Sequence, residues 1–256
     1  AVLEGLRRAR NKGHMVFIST GRSHGSVPPE ILDMETDGLI CSAGSDIWFH
    51  GQNVYRQSLS PELIEDTCQI LKEMDAVYLL EGFDRIYVSE KAQRILLGKE
   101  VLPNDNPELV RWKKYFRQKP NLYPIEEWTP DGEKVPKITF MLFQKEQVEK
   151  VKEIMSEHFH VVFFPAAYDD FWNGELISRR ADKGTAIQKA AELLHIGIED
   201  TIAFGDSMND YEMIEKAGCG VVMANGDEYL KTIADRICES VQEDGVVREL
   251  ERMHLI

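Results

Sequence analysis

Thr201-Ile-Ala-Phe-Gly-Asp206-Ser-Met-Asn209-Asp210-Tyr-Glu-Met213 opens with a short apolar run, Ile202 to Phe204, that Gly205 halts. Such a run, closed by a glycine, reads as a buried parallel strand ending at a turn. Asp206 follows directly. Ligand crevices in open parallel sheets lie outside the carboxyl ends of the strands, so Asp206 is expected on a rim where chemistry sits. Asn209 and Asp210 occupy the turn and the start of a helix carrying Met213, Ile214 and Ala217. Two carboxylates and an amide thus gather at one strand end, a hard-oxygen set suited to Mg²⁺. The same residue types also serve as plain turn and N-cap residues, so partners elsewhere in the chain decide between the two readings.

Those partners are present. Gly13-His-Met15-Val-Phe-Ile18 is a second apolar strand, and it ends in Ser19-Thr20-Gly21-Arg22. Ala181-Asp182-Lys183-Gly184-Thr185 places a lysine at the start of a helix whose apolar face is Ile187, Ala190, Ala191 and Leu194. Hydroxyl, lysine and acidic cluster, in this order, resemble the motifs of the haloacid dehalogenase-like hydrolases. Within them the chain is similar to the Cof-type sugar-phosphatase branch, whose cap is of type IIB. Gly220-Val-Val-Met223-Ala-Asn225, Ala234-Asp235 and Glu243-Asp-Gly245-Val also look like that branch, although Gly226 stands where its members usually carry Ala. Residues 1 to 50 and 175 to 256 carry the resemblance.

The resemblance implies an α/β fold, a Rossmann-like parallel-sheet core at 1–57 and 181–256 with an α/β cap domain inserted at 58–180. It implies a Mg²⁺-dependent phosphatase that hydrolyses small phosphorylated metabolites, such as sugar phosphates, through an aspartyl-phosphate intermediate. In that site Asp206 would ligate Mg²⁺, and Asp210 would hold the metal shell or pair with Lys183. Asn209 would donate to a phosphate oxygen. Ser19 or Thr20 would hydrogen-bond the transferring phosphoryl group, with Gly21 and Arg22 beside it. Lys183 would bind phosphate and steady the charge of the nucleophile. A phosphomutase shares this site, and a non-catalytic phospholigand-binding protein is the alternative if the natural chain starts near Ala1.

One departure is large. The family's first motif, an apolar strand followed by Asp-x-Asp-Gly-Thr, supplies the nucleophile and the general acid, and the sequence contains no Asp-x-Asp. The expectation is that the sequence begins after an N-terminal stretch bearing that motif, and that Ala1–Ile256 alone is inactive. In the family this strand lies mid-sheet, between those ending here at Ser19 and Asp206. Each buried backbone group left unpaired by its removal costs about 1–3 kcal/mol. Either an additional segment or a groove is therefore expected between the Ile18 and Phe204 strands.

Composition bounds the rest. Apolar residues at 43% and charged residues at 29% are ordinary globular values. A net charge of −14 opposes binding to nucleic acid or an anionic membrane. An anionic substrate then needs local compensation, which Mg²⁺, Lys183 and Arg22 would give. The cysteines (Cys41, Cys68, Cys219, Cys238) form no Cys-x-x-Cys and read as reduced core residues. No run is long and apolar enough for a membrane span, so a cytoplasmic monomer or homodimer is expected. The apolar side of a first helix over 2–12 is read as Val2, Leu3, Leu6 and Ala9, and residues 103–124, with Pro103, Pro107, Pro120 and Pro124, as a polar stretch holding a basic cluster from Arg111 to Arg117.

Overall fold

Short apolar runs alternating with amphipathic stretches fold as alternating strands and helices. The computed structural model describes residues 1–34, 36–98, 107–119, 121–164 and 171–256. It divides into two units, one of Ala1–Gln57 with Arg180–Ile256 and one of Ser58–Arg179.

The first unit begins with α1 (Val2–Asn11), β1 (Phe17–Ser19), α2 (Pro29–Leu32), β2 (Gly38–Cys41), β3 (Asp46–Phe49) and β4 (Gln52–Arg56). β1 runs parallel to β2, and β2, β3 and β4 follow as antiparallel neighbours. The apolar side expected for α1 is borne out at Ala9 and corrected at Val2 and Leu3. Gly5 and Ala9 are its buried residues, while Val2 and Leu3 are exposed. A Cβ on Gly5 would stand 2.8 Å from the Val247 side chain, so small residues are what let this helix approach.

In the second unit α3 (Pro61–Glu73) is capped by Ser60, whose hydroxyl accepts from the Leu63 N–H. There follow β5 (Val77–Glu81), β6 (Ile86–Val88), α4 (Glu90–Ala92), α5 (Pro107–Arg117), β7 (Leu122–Pro124), β8 (Lys137–Leu142), α6 (Lys145–Met155), β9 (Phe159–Phe163) and β10 (Trp172–Ser178). The strands make one six-stranded sheet in the order β7-β6-β5-β8-β10-β9. One face packs Leu80, Ile138, Phe140 and Leu176 on Ile64 and Leu71 of α3 and Val151 and Met155 of α6. On the other face Val77, Leu79, Val88 and Met141 pack on Leu109 and Phe116 of α5. Helix α5 corrects the reading of that segment as a merely polar stretch. Pro107 at its first position fits the fixed φ and absent N–H of proline, and Arg111 and Arg117 lie along it. Pro103 and Pro120 lie outside the described residues.

The chain then returns to the first unit with α7 (Lys183–Leu194), β11 (Ile202–Gly205), α8 (Tyr211–Lys216), β12 (Cys219–Met223), α9 (Glu228–Lys231), β13 (Arg236–Cys238) and α10 (Gly245–Arg252). β11, β12 and β13 form a separate parallel sheet. Helix α7 serves both sheets: Ala186 packs with Ile40 and Ile47, and Ile187 with Ala203 and Val222. Val246 of α10 packs on Val221 and Met223. Although the sheets share a helix layer, β1 and β11 do not pair, and each is an outer strand of its own sheet.

The direction of the free edges follows from strand alternation. The Val16 carbonyl and both backbone groups of Thr20 bond toward β2 and the turn after it, which leaves those of Phe17 and Ser19 on the open side. Thr201 accepts from Cys219 N–H, so Ile202 and Phe204 face the open side of β11. All four cysteines are free thiols, and burial pushes Cys41 and Cys68 up to about 12. Among the described residues no helix is long and apolar enough to cross a membrane.

Candidate active site

The carboxyl ends of β1, β2 and β11 and the start of α7 bear the residues singled out from sequence. Asp210 is buried, and its Oδ1 accepts from Lys183 Nζ at 2.5 Å. Its Oδ2 accepts from the backbone N–H of Asp206 at 3.1 Å and of Ser207 at 3.3 Å. Both carboxylate oxygens are thereby engaged, and of the two roles expected for Asp210 the geometry displays the pairing with Lys183. A buried ion pair of this kind is favourable when its remaining lone pairs are also satisfied, as here. Gly205 makes the return of Asp210 possible, because a Cβ there would stand 2.7 Å from the Asp210 Cβ.

Asp206 is exposed, and its carboxylate has no side-chain partner among the described residues. Asn209 Oδ1 lies 3.5 Å from Lys183 Nζ and accepts from Ser207 Oγ at 2.6 Å. Its amide nitrogen remains as a donor.

Lys183 owes its place to two neighbours. Asp182 caps α7, its Oδ1 accepting from the Thr185 N–H at 2.6 Å. The turn after β2 packs on the same point: Gly44 has a φ of +108°, and a Cβ on it would lie 2.1 Å from the Asp182 carbonyl oxygen. Only glycine tolerates both conditions.

At the end of β1, Thr20 Oγ1 accepts from the Arg22 N–H at 3.2 Å. Ser19 pairs in register with Ile40 and shares its face of the sheet with Phe17, both of which pack on Ala186 of α7. The Ser19 hydroxyl is buried and without a hydrogen-bond partner among the described residues. Arg22 is exposed and Gly21 half-buried.

Ser42 was not foreseen as a site residue. Its hydroxyl is also buried and unpartnered among the described residues, and its φ of +50°, like the +55° of Ala43, is uncommon outside glycine. The turn is tied to the β1 end, Ser42 N–H donating to the Arg22 carbonyl and Ala43 N–H to that of Thr20. The sequence signal was the run Ser42-Ala43-Gly44 after a strand, which by itself indicates only a tight turn.

As a Mg²⁺ site the donor chemistry fits, since Asp206 is an exposed hard-oxygen ligand. The number of donors falls short, because among the described residues no three His, Cys, Asp or Glu side chains converge.

The sequence model of the haloacid dehalogenase-like hydrolases matches residues 2–250. The putative phosphatase YkrA of Bacillus subtilis is 28% identical over 252 residues, covering 96% of this chain and 87% of its own. YitU of the same organism, a 5-amino-6-(5-phospho-D-ribitylamino)uracil phosphatase, is 26% identical, with 97% of this chain and 88% of its own covered. A haloacid dehalogenase-like hydrolase from B. subtilis superposes with a TM-score of 0.77 at 25% identity, over 98% of this chain and 91% of that one. The HAD subclass IIB sugar phosphatase BT4131 shares the fold with a TM-score of 0.76 at 22% identity, over 99% and 91% of the two chains. Since the family match runs nearly from end to end, the chain belongs to the haloacid dehalogenase-like hydrolases.

Proposed function

We propose that the protein is a Mg²⁺-dependent phosphatase of small phosphorylated metabolites, sugar phosphates or similar, acting in the cytoplasm through an aspartyl-phosphate intermediate. The observation that carries this reading is the buried Lys183–Asp210 pair beside the exposed carboxylate of Asp206. Phosphoryl transfer demands positioning and neutralisation of charge spreading over the phosphoryl oxygens. Lys183 is held for that task by Asp210 and Asp182, while Asn209 Nδ2 and the Ser19 or Thr20 hydroxyl supply neutral donors. Asp206 would hold the Mg²⁺, which supplies Lewis-acid stabilisation of the phosphoryl oxygens when bound.

The nucleophile is assigned to an aspartate outside Ala1–Ile256, on a strand that pairs with both β1 and β11. The open edges of those two outer strands and the lack of any Asp-x-Asp support this assignment. Ser58–Arg179 is read as the cap that meets the leaving group. The lack of Asp-x-Asp also favours a second reading, a phospholigand-binding protein without covalent chemistry.

Phosphate release from a metabolite panel tests both. A chain extended by its natural preceding residues is expected to release phosphate with Mg²⁺ stimulation, and Ala1–Ile256 alone is expected to release none. An extended chain that contains an Asp-x-Asp and still releases nothing would overturn the phosphatase reading.

A further inference from the structure

Asn-Gly occurs twice in the chain, at Asn173-Gly174 and at Asn225-Gly226. The pair is chemically labile, because glycine sets no side chain between its own backbone nitrogen and the amide carbon of the asparagine before it. The two copies sit in opposite surroundings. Asn173 is 2% exposed in β10, and Gly174 lies in register with Phe140 of β8 on one side and Phe163 of β9 on the other. A ladder on both sides holds this backbone extended, and only local opening frees it. Asn225 is exposed and Gly226 half-buried in the turn after β12, where the Gly226 N–H donates to the Met223 carbonyl at 2.8 Å. That hydrogen bond closes an exposed turn rather than a sheet ladder.

Further contacts distinguish Asn225. Its Oδ1 accepts from the Val241 N–H at 3.0 Å, which polarises the amide carbonyl and stabilises negative charge developing on its oxygen. The turn also abuts the candidate site. The Asp227 N–H donates to the Asp206 carbonyl at 2.9 Å, and a Cβ on Gly226 would stand 3.0 Å from that same oxygen. A change of backbone length at residue 225 is therefore felt at Asp206.

We propose that Asn225 is a site of spontaneous deamidation and that its isoaspartyl product loosens the Asp206 loop. The Gly226 nitrogen gives up its proton and bonds to Asn225 Cγ, the Cγ–Nδ2 bond breaks, and Nδ2 takes up a proton and leaves as ammonia. Water then opens the cyclic imide at either carbonyl. Opening at Cγ gives aspartate, and opening at the main-chain carbonyl gives isoaspartate, whose main chain runs through Cβ and Cγ. Nothing is oxidised or reduced, and water is the co-reactant. Either product places a further negative charge on a chain whose net charge is −14. Isoaspartate also lengthens the backbone directly before Gly226 and Asp227, the residues that meet Asp206. The chemistry needs neither metal nor phosphoryl transfer, so it stands apart from the phosphatase reading.

Ala1–Ile256 held in mildly alkaline buffer, with and without guanidinium chloride, and read by peptide mass mapping with electron-transfer fragmentation tests it. In the folded chain aspartate and isoaspartate are expected to accumulate at residue 225 while Asn173 stays intact, whereas in denaturant both asparagines should convert alike. Asn173 thereby reports folding in every variant. Asn225→Gln, whose longer side chain closes the ring poorly, is expected to lose the product, and Gly226→Ala to slow it by shielding the attacking nitrogen. The Asp227 amide should exchange with solvent faster in the isoaspartyl product than in the parent chain. No product at residue 225 in the folded chain, equal conversion of Asn173 and Asn225 there, or an unchanged rate in a folded Gly226→Ala would overturn the site. An Asp227 amide protected equally in product and parent would overturn the loosened loop.

Discussion

The two units solve the same problem with different completeness. In Ser58–Arg179 a six-stranded sheet is continuous from β7 to β9, with apolar helices on both faces. In the other unit the helix layer is shared, yet the sheet stops at β1 and starts again at β11. Burial follows the same line. β5 and β8 are buried almost throughout, whereas every residue of β1 is half-buried and β11 alternates. Among the described residues of the second unit β6, β5, β8 and β10 are each paired on both sides, and the first unit has its candidate catalytic groups at the break.

Perturbing each unit separately sharpens that contrast. Lys183→Met leaves the Asp210 carboxylate buried without its ion partner, and loss of one member of a buried pair costs about 3–5 kcal/mol. Denaturant unfolding of this variant, followed by probes in each unit, is expected to shift the transition of the first unit alone. Gly44→Ala is expected to cost the same unit about 2–3 kcal/mol, since it adds a strained left-handed residue and a contact with the Asp182 carbonyl. An equal loss in both units would contradict the division.

The smallest expected effect is in pH dependence. Burial raises the Asp37 carboxyl, but the Arg10 guanidinium and the Val16 N–H outweigh it and hold it below its ordinary value of 3.8. Its contribution is therefore fully present above 3.8 and declines as the pH falls through the lowered folded value. Lys137 in the second unit is raised above 10.5, so its contribution is full below 10.5 and is lost as pH rises through the folded value. Acid titration of unfolding stability should thus weaken the first unit, Asp37→Asn should flatten that slope, and the Lys137 contribution should be lost only in alkali.

The family, the fold class and the positions of the strands that end at Ser19 and Gly205 were legible because each rests on local pattern: an apolar run, then Gly, then polar residues. What lay beyond local pattern was missed. Helix α5 was hidden by its prolines and by a basic run whose buried partners, Leu109 and Phe116, are few. The buried side of α1 was read at Ala9 but not at Gly5, which is chosen by Val247, far along the chain, rather than by hydropathy. Lys137 and Thr139 alternate with Ile138 and Phe140 as in a half-exposed strand, and only pairing with Glu81 and Glu175 buries them. The Lys183–Asp210 pair was one of two roles open for Asp210, and it rests on proximity in three dimensions that no local pattern carries.

Residue-resolved amide hydrogen exchange tests the proposal that a further strand pairs with both β1 and β11. In Ala1–Ile256 the amides of Phe17, Ser19, Ile202 and Phe204 are expected to exchange well ahead of those of Ile18 and Thr20, which face β2. In the chain extended by its natural preceding residues the same four amides should slow to the level of the β8 amides. Uniform protection of β1 and β11 in Ala1–Ile256, or no slowing of these four amides in the extended chain, would contradict the account.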